Sequence, residues 1–189
     1  MSQTRTLHIS KQAKVVLALF VFVTLIEVIN LLTGRVLNQF GNIPRHISAL
    51  PGIVFGPFLH GNIWHYWSNI LPLCLFSFLM LQHGTRRFIY LSIWIIVSTG
   101  LLVWLFGRQA IHIGMSGLLY GYFGYLLLAG FLSRKPKLIA ISLLVGFFYG
   151  GLIFGVFPTG SFISWESHLF GFIAGMLGAK LFVKKHHYA

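Results

Sequence analysis

Residues Ile113 to Phe131 read IGMSGLLYGYFGYLLLAGF. The run carries no charged side chain, and about 20 such residues at 1.5 Å each cross roughly 30 Å of hydrocarbon. It has the length and composition of a membrane-crossing helix, yet it holds Ser116 near its start and glycines at Gly114, Gly117, Gly121 and Gly124. A polar group at membrane depth costs free energy, so Ser116 needs a partner or a task. Five further segments have similar character: Val15–Leu32, Trp64–Leu81, Phe88–Phe106, Leu138–Phe157 and the shorter His168–Val183. Together they predict an all-α membrane protein, a six-span bundle over residues 15–183. A polar segment, 1–14, precedes it and a basic tail, 184–189, follows.

Composition supports this reading. Hydrophobic residues make up 57% and charged residues 8% of the chain, too few charges to cover a soluble surface. The net charge of +12 is scattered between apolar runs, which fits topology signals and anionic headgroups and excludes a nucleic-acid face. Eleven of the 14 Lys and Arg fall on one side when the spans alternate. Only Arg35, Arg45 and Arg108 fall on the other. The basic side faces the cytoplasm, so both termini are expected there. Val15–Leu32 is too long for a signal-peptide core and no small-residue cleavage site follows it, so it reads as a retained first span. The connection from Thr33 to Ile63 is unusually apolar and is expected to fold against the bundle at the outer interface. Cys74, the only cysteine, excludes an intrachain disulfide.

Ser116 and His168 then share the outer end, as do His60, His65 and Asn69 at the start of the second span. Neutral imidazole can take a serine proton near neutral pH. His65 and Asn69, four residues apart, share a helical face and can both donate toward a developing oxyanion, and the Ser116 N–H at a helix start can add a third donor. Gly171, Gly175 and Gly178 follow His168 as a stripe that lets the last span approach the fourth, with Tyr120 placed to pack on the His168 ring. The only acids are Glu27 and Glu166. Glu166 points away from His168 on a continuous helix, so a Ser-His dyad is favoured over a triad. Glu27 is expected to bond a neighbouring helix or loop, with Asn30 a candidate partner. His112 reads as an outer-loop residue without a chemical role. His60 and His65 lack the companions of a metal site, so neither metal nor cofactor is expected.

Three motifs stand in order on these spans: His60-Gly-Asn-Ile-Trp-His65-Tyr-Trp-Ser-Asn69, Gly114-Met-Ser116-Gly117 and His168-Leu-Phe-Gly171-Phe-Ile-Ala-Gly175. In them the chain resembles the rhomboid family of intramembrane serine proteases. The resemblance implies Ser116 as nucleophile, His168 as its base and acid, and His65, Asn69 and the Ser116 N–H as the oxyanion hole. By the same match His60 supports that hole and Tyr120 stacks on the histidine. It further implies single-span membrane proteins as substrates, a water-filled cavity open to the outer face, and admission past the fifth span, here rich in glycine (Gly146, Gly150, Gly151, Gly155). The Trp-Arg pair common in the family's first outer loop is missing, as is its acidic residue near the inner end of span two. A bacterial inner membrane is the expected location. A catalytically silent rhomboid-like protein that binds membrane clients is one alternative. A small transporter, whose polar groups should continue across the membrane, is another.

Overall fold

A computed structural model describes residues 2–158 and 163–183, with side chains from residue 11 onward. The basic tail, 184–189, lies outside the described residues. Seven α-helices follow one another: α1 (Ser2–Leu32), α2 (Gly52–Phe55), α3 (Ile63–Leu81), α4 (Thr85–Phe106), α5 (Ser116–Ser133), α6 (Pro136–Tyr149) and α7 (Trp165–Phe182). Among the described residues, four helical segments are long and apolar enough to cross a membrane: Lys11–Leu32, Thr85–Phe106, Ser116–Ser133 and Pro136–Val156. The described residues contain no strand, only an isolated bridge between Asn42 and His112.

Local chemistry sets several helix ends. Asn62 is extended and its side chain accepts from the His65 N–H at 2.8 Å, which starts α3 just before the His65 turn. Pro136 starts α6, where its missing N–H costs nothing. The fifth apolar segment does not stay α-helical. After Tyr149 it tightens into a 3-10 stretch, Gly150–Val156, where three glycines weaken the helix.

The bundle is built around α5. Tyr122, Phe123 and Tyr125 on this helix are almost wholly buried, against Phe76, Ile70 and Leu73 of α3 and Leu91 and Ile95 of α4. The most extensive helix pairing is α5 with α7, and glycine makes it possible. A Cβ on Gly171 would overlap the Gly117 carbonyl oxygen, and one on Gly175 would overlap that of Gly121. Gly178 continues the stripe but faces Leu91 and Trp94 of α4 instead.

The apolar connection between α1 and α3 is a chain of short helical turns, folded against the end of α4. Arg45 donates to the carbonyls of Leu105 and Gly107, and Trp104 Nε1 donates to His46 O at 2.9 Å. Asn42 Nδ2 reaches Gly100 O at 2.8 Å. These bonds anchor the loop without the Trp-Arg pair. Val36, Phe40, Ile47 and Phe55 stay exposed on it.

Candidate active site

Ser116 is the first residue of α5, so its backbone N–H has no partner inside the helix. The turn that delivers it requires Gly114. The φ of Gly114 is +111°, and a Cβ there would lie 2.7 Å from His65 Nε2. The imidazole of His65 therefore sits directly over the backbone that leads into Ser116. A cavity of about 730 Å³ is lined by His65, Asn69, Ser116, Tyr120 and His168. Three helices, α3, α5 and α7, contribute these side chains to one space.

The geometry assigns protons to both imidazoles. His168 Nδ1 lies 3.0 Å from the Gly155 carbonyl oxygen. A carbonyl can only accept, so Nδ1 carries the hydrogen and Nε2 is left as the acceptor. The His168 ring stacks on Tyr120 with centroids 4.1 Å apart and planes within 5°. His65 Nδ1 accepts from the Gly61 N–H at 3.4 Å, which puts its proton on Nε2 as a donor. Asn69 Nδ2 donates to His65 O at 2.7 Å, with a 3.5 Å contact to Ser68 Oγ for its second hydrogen. No Ser116–His168 hydrogen bond forms among the described residues. Such contacts are commonly long before substrate binds.

His60 stands behind this wall, not in the cavity. It is fully buried and meets His65 edge-on at 5.3 Å. Its carbonyl accepts from Arg35 Nη1 at 2.7 Å, Asn38 Nδ2 at 3.2 Å and Asn30 Nδ2 at 3.5 Å. Burial lowers the pKa of its imidazole to about 3, helped by the neighbouring His65 ring and by the Arg35 guanidinium, so the ring is neutral. Glu27 binds Arg35 at 2.8 Å rather than Asn30. Arg35 reaches both partners from a left-handed backbone, φ 65°, a conformation that costs a residue with a Cβ about 1 kcal/mol.

His112 lies in the loop before α5, as expected, and the loop is held through it. It is buried, because its loop folds inward between Asn42 and the start of α7. Its Nε2 contacts Arg108 O at 3.0 Å and its Nδ1 contacts Ser164 Oγ at 2.6 Å, and Ser164 in turn meets Ser167 Oγ at 2.6 Å. Glu166 points away from the cavity. Its Oε1 accepts from the Arg108 backbone N–H at 3.3 Å and forms an ion pair with the Arg108 guanidinium, while Arg108 Nη2 bonds Ile163 O. The segments that lead into Ser116 and into His168 are thus clasped together. Gly155 and this clasp are the members of the site that sequence reasoning missed. A backbone carbonyl has no residue signature. His112, Arg108 and Glu166 were visible only as isolated polar residues.

The rhomboid domain profile matches residues 48–185. The chain belongs to the rhomboid family. An uncharacterized protein of Mycobacterium tuberculosis is 38% identical over 167 residues, covering 83% of this chain and 69% of the relative. One from Mycobacterium leprae is 35% identical over 176 residues, covering 88% and 69%. A protein of Acanthamoeba polyphaga mimivirus, named as a rhomboid protein, is 29% identical over 142 residues, covering 71% and 77%. Family membership and the apolar helices make the chain an integral membrane protein of rhomboid type.

Proposed function

We propose that this rhomboid is an active intramembrane serine endopeptidase that cuts single-span membrane proteins with a Ser116–His168 dyad. One observation carries the reading: the His168 imidazole, its tautomer fixed by the Gly155 carbonyl and its plane held by Tyr120, shares a cavity with a serine at a helix start. In this reading α1, α3, α4, α5, α7 and the Pro136–Val156 segment are six spans, with both termini in the cytoplasm. The cavity opens toward the outer face of a bacterial inner membrane.

The chemistry follows from the proton positions. His168 Nε2 takes the Ser116 hydroxyl proton as Oγ bonds to the scissile carbonyl carbon. Negative charge moves onto the carbonyl oxygen, where the Ser116 N–H and His65 Nε2–H are the donors available to receive it, joined by an Asn69 amide hydrogen that exchanges its long contact with Ser68 Oγ for the oxyanion. The C–N bond breaks as His168 returns the proton to the leaving amine. Water then enters the cavity and gives a proton to His168 as its oxygen bonds to the acyl carbon, and the C–Oγ bond breaks as His168 returns that proton to Oγ. Gly155 holds Nδ1 throughout, the place a carboxylate takes in a triad.

A fluorophosphonate probe tests the reading. Wild-type protein in detergent should be labelled, Ser116→Ala should not, and His168→Ala should be labelled far more slowly. Purified wild type should also cleave a single-span reporter in proteoliposomes. Equal labelling of wild type and Ser116→Ala rejects the proposal and favours a silent, client-binding rhomboid.

A further inference from the structure

A single peptide group ties His65 to α1. The carbonyl of His60 and the N–H of Gly61 belong to one planar trans amide, so they point in opposite directions. On one side the carbonyl accepts from Arg35 Nη1 at 2.7 Å, Asn38 Nδ2 at 3.2 Å and Asn30 Nδ2 at 3.5 Å. On the other side the N–H donates to His65 Nδ1 at 3.4 Å. The donors on the carbonyl therefore set the plane of the amide that assigns the His65 proton. One donor would satisfy a buried carbonyl. Three donors, one of them a cation, do more than that.

Arg35 is built into this contact. Its Nη2 bonds Glu27 Oε1 at 2.8 Å and its backbone N–H bonds Asn30 O at 2.7 Å. Asn30 Nδ2 also donates to Asn38 Oδ1 at 2.9 Å, so the donors are linked to one another. Glu27 is buried on α1, and a carboxylate at membrane depth is costly enough to call for a task. Here the task is electronic as well as geometric. A guanidinium at the carbonyl oxygen draws electron density toward it and strengthens the N–H at the far end of the same amide as a donor. A stronger Gly61 N–H holds Nδ1 of His65 as the acceptor and keeps the proton on Nε2, the nitrogen beside Gly114 at the turn into Ser116. The opposite tautomer would turn a lone pair toward the oxyanion.

We propose that Arg35 is a positioning residue for the oxyanion hole: held by Glu27, it acts through the His60–Gly61 peptide to keep His65 in its Nε2–H form. The role in turnover rests on the protease reading of the cavity. The tautomer is a property of the resting protein and is measured without any reaction.

Nitrogen NMR of the full chain with isotope-labelled histidine, in detergent, reads the tautomer of each ring, and the His65 resonances are those lost in His65→Ala. Wild type should carry the His65 proton on Nε2. Arg35→Met should shift these resonances toward a mixture of the two tautomers. An unchanged His65 spectrum in Arg35→Met overturns the proposal, whether or not the chain proves to be a protease. Reporter cleavage in proteoliposomes is the second readout. Arg35→Met should lower kcat by up to about 10²-fold, the loss of one oxyanion donor, with KM nearly unchanged. His65→Ala should lose about 10²–10³-fold. Adding Arg35→Met to it should cost almost nothing more, because the ring that Arg35 serves is gone. Losses that multiply in the double variant mean that Arg35 merely supports the fold, and they overturn the role. If Arg35→Met does not fold, judged by its helical circular dichroism, Glu27→Gln/Arg35→Met carries the same tests without leaving a buried carboxylate unpaired. A wild type that cleaves nothing sinks the protease reading instead, and the tautomer then decides the proposal alone.

Discussion

Gly155→Ala is the sharpest test of how the base is held. A Cβ at Gly155 would overlap the Tyr120 hydroxyl, stand 2.9 Å from Tyr120 Cζ and 3.4 Å from His168 Nδ1. Carbon atoms prefer about 3.5–4.0 Å, so the Tyr120 ring must retreat by close to 1 Å or the Gly155 carbonyl must withdraw. The His168 and Tyr120 rings are nearly parallel with centroids 4.1 Å apart, so either movement disturbs the imidazole. Losing 1 Å of alignment costs about 10²-fold, and losing the tautomer removes general base catalysis worth about 10²–10⁴-fold. The expected result is a fall in kcat of roughly 10²–10³-fold with KM nearly unchanged, read by reporter cleavage in proteoliposomes. Fluorophosphonate labelling should slow in parallel. Adding Tyr120→Phe removes the overlapping oxygen but leaves Cζ at 2.9 Å, so the double variant should recover part of the loss relative to Tyr120→Phe alone. Wild-type turnover in Gly155→Ala, or no recovery in the double variant, would refute this account of the base.

Glu27→Gln should lower stability by about 3 kcal/mol, because it strips the buried partner from Arg35; thermal unfolding in detergent reads it, and Glu27→Gln/Arg35→Gln should lose less than two independent losses would sum to. Gly175→Leu should prevent the close approach of α5 and α7, since even a Cβ meets the Gly121 carbonyl; the expected cost is at least 1–3 kcal/mol, roughly that of overpacking a core, with loss of labelling. Stability should fall as pH drops below about 6.5, the unfolded histidine value. His60 and His83 are held neutral to about 3 and about 4 when folded, so the unfolded chain binds more protons in that window. Melting temperatures across pH check this, and His83→Phe should flatten the part between about 6.5 and 4.

The helical architecture was legible because membrane-length apolar runs and their charged breaks are written directly in composition. The glycine stripe was legible too: Gly171 and Gly175 recur at helical spacing, and only a close neighbour explains that repetition. Three features were not. The 3-10 stretch Gly150–Val156 looks as apolar as the helix before it, so hydropathy cannot separate them. The Gly155 carbonyl belongs to the backbone, and any residue supplies one. Arg35 joins Glu27 to the His60 carbonyl only because its own φ is left-handed, a choice that side-chain type does not announce. The burial of His112 was hidden for a related reason, since it comes from a loop pairing with Asn42 that spans 70 residues of chain.

The rhomboid domain profile begins at residue 48, yet the carbonyl of His60 is gripped by Asn30, Arg35 and Asn38. The first helix and the turn after it thus buttress the His65 side of the cavity. A graft that transplanted only the profiled region onto another leading span would carry every reacting atom and still leave the ledge beneath His65 unbraced.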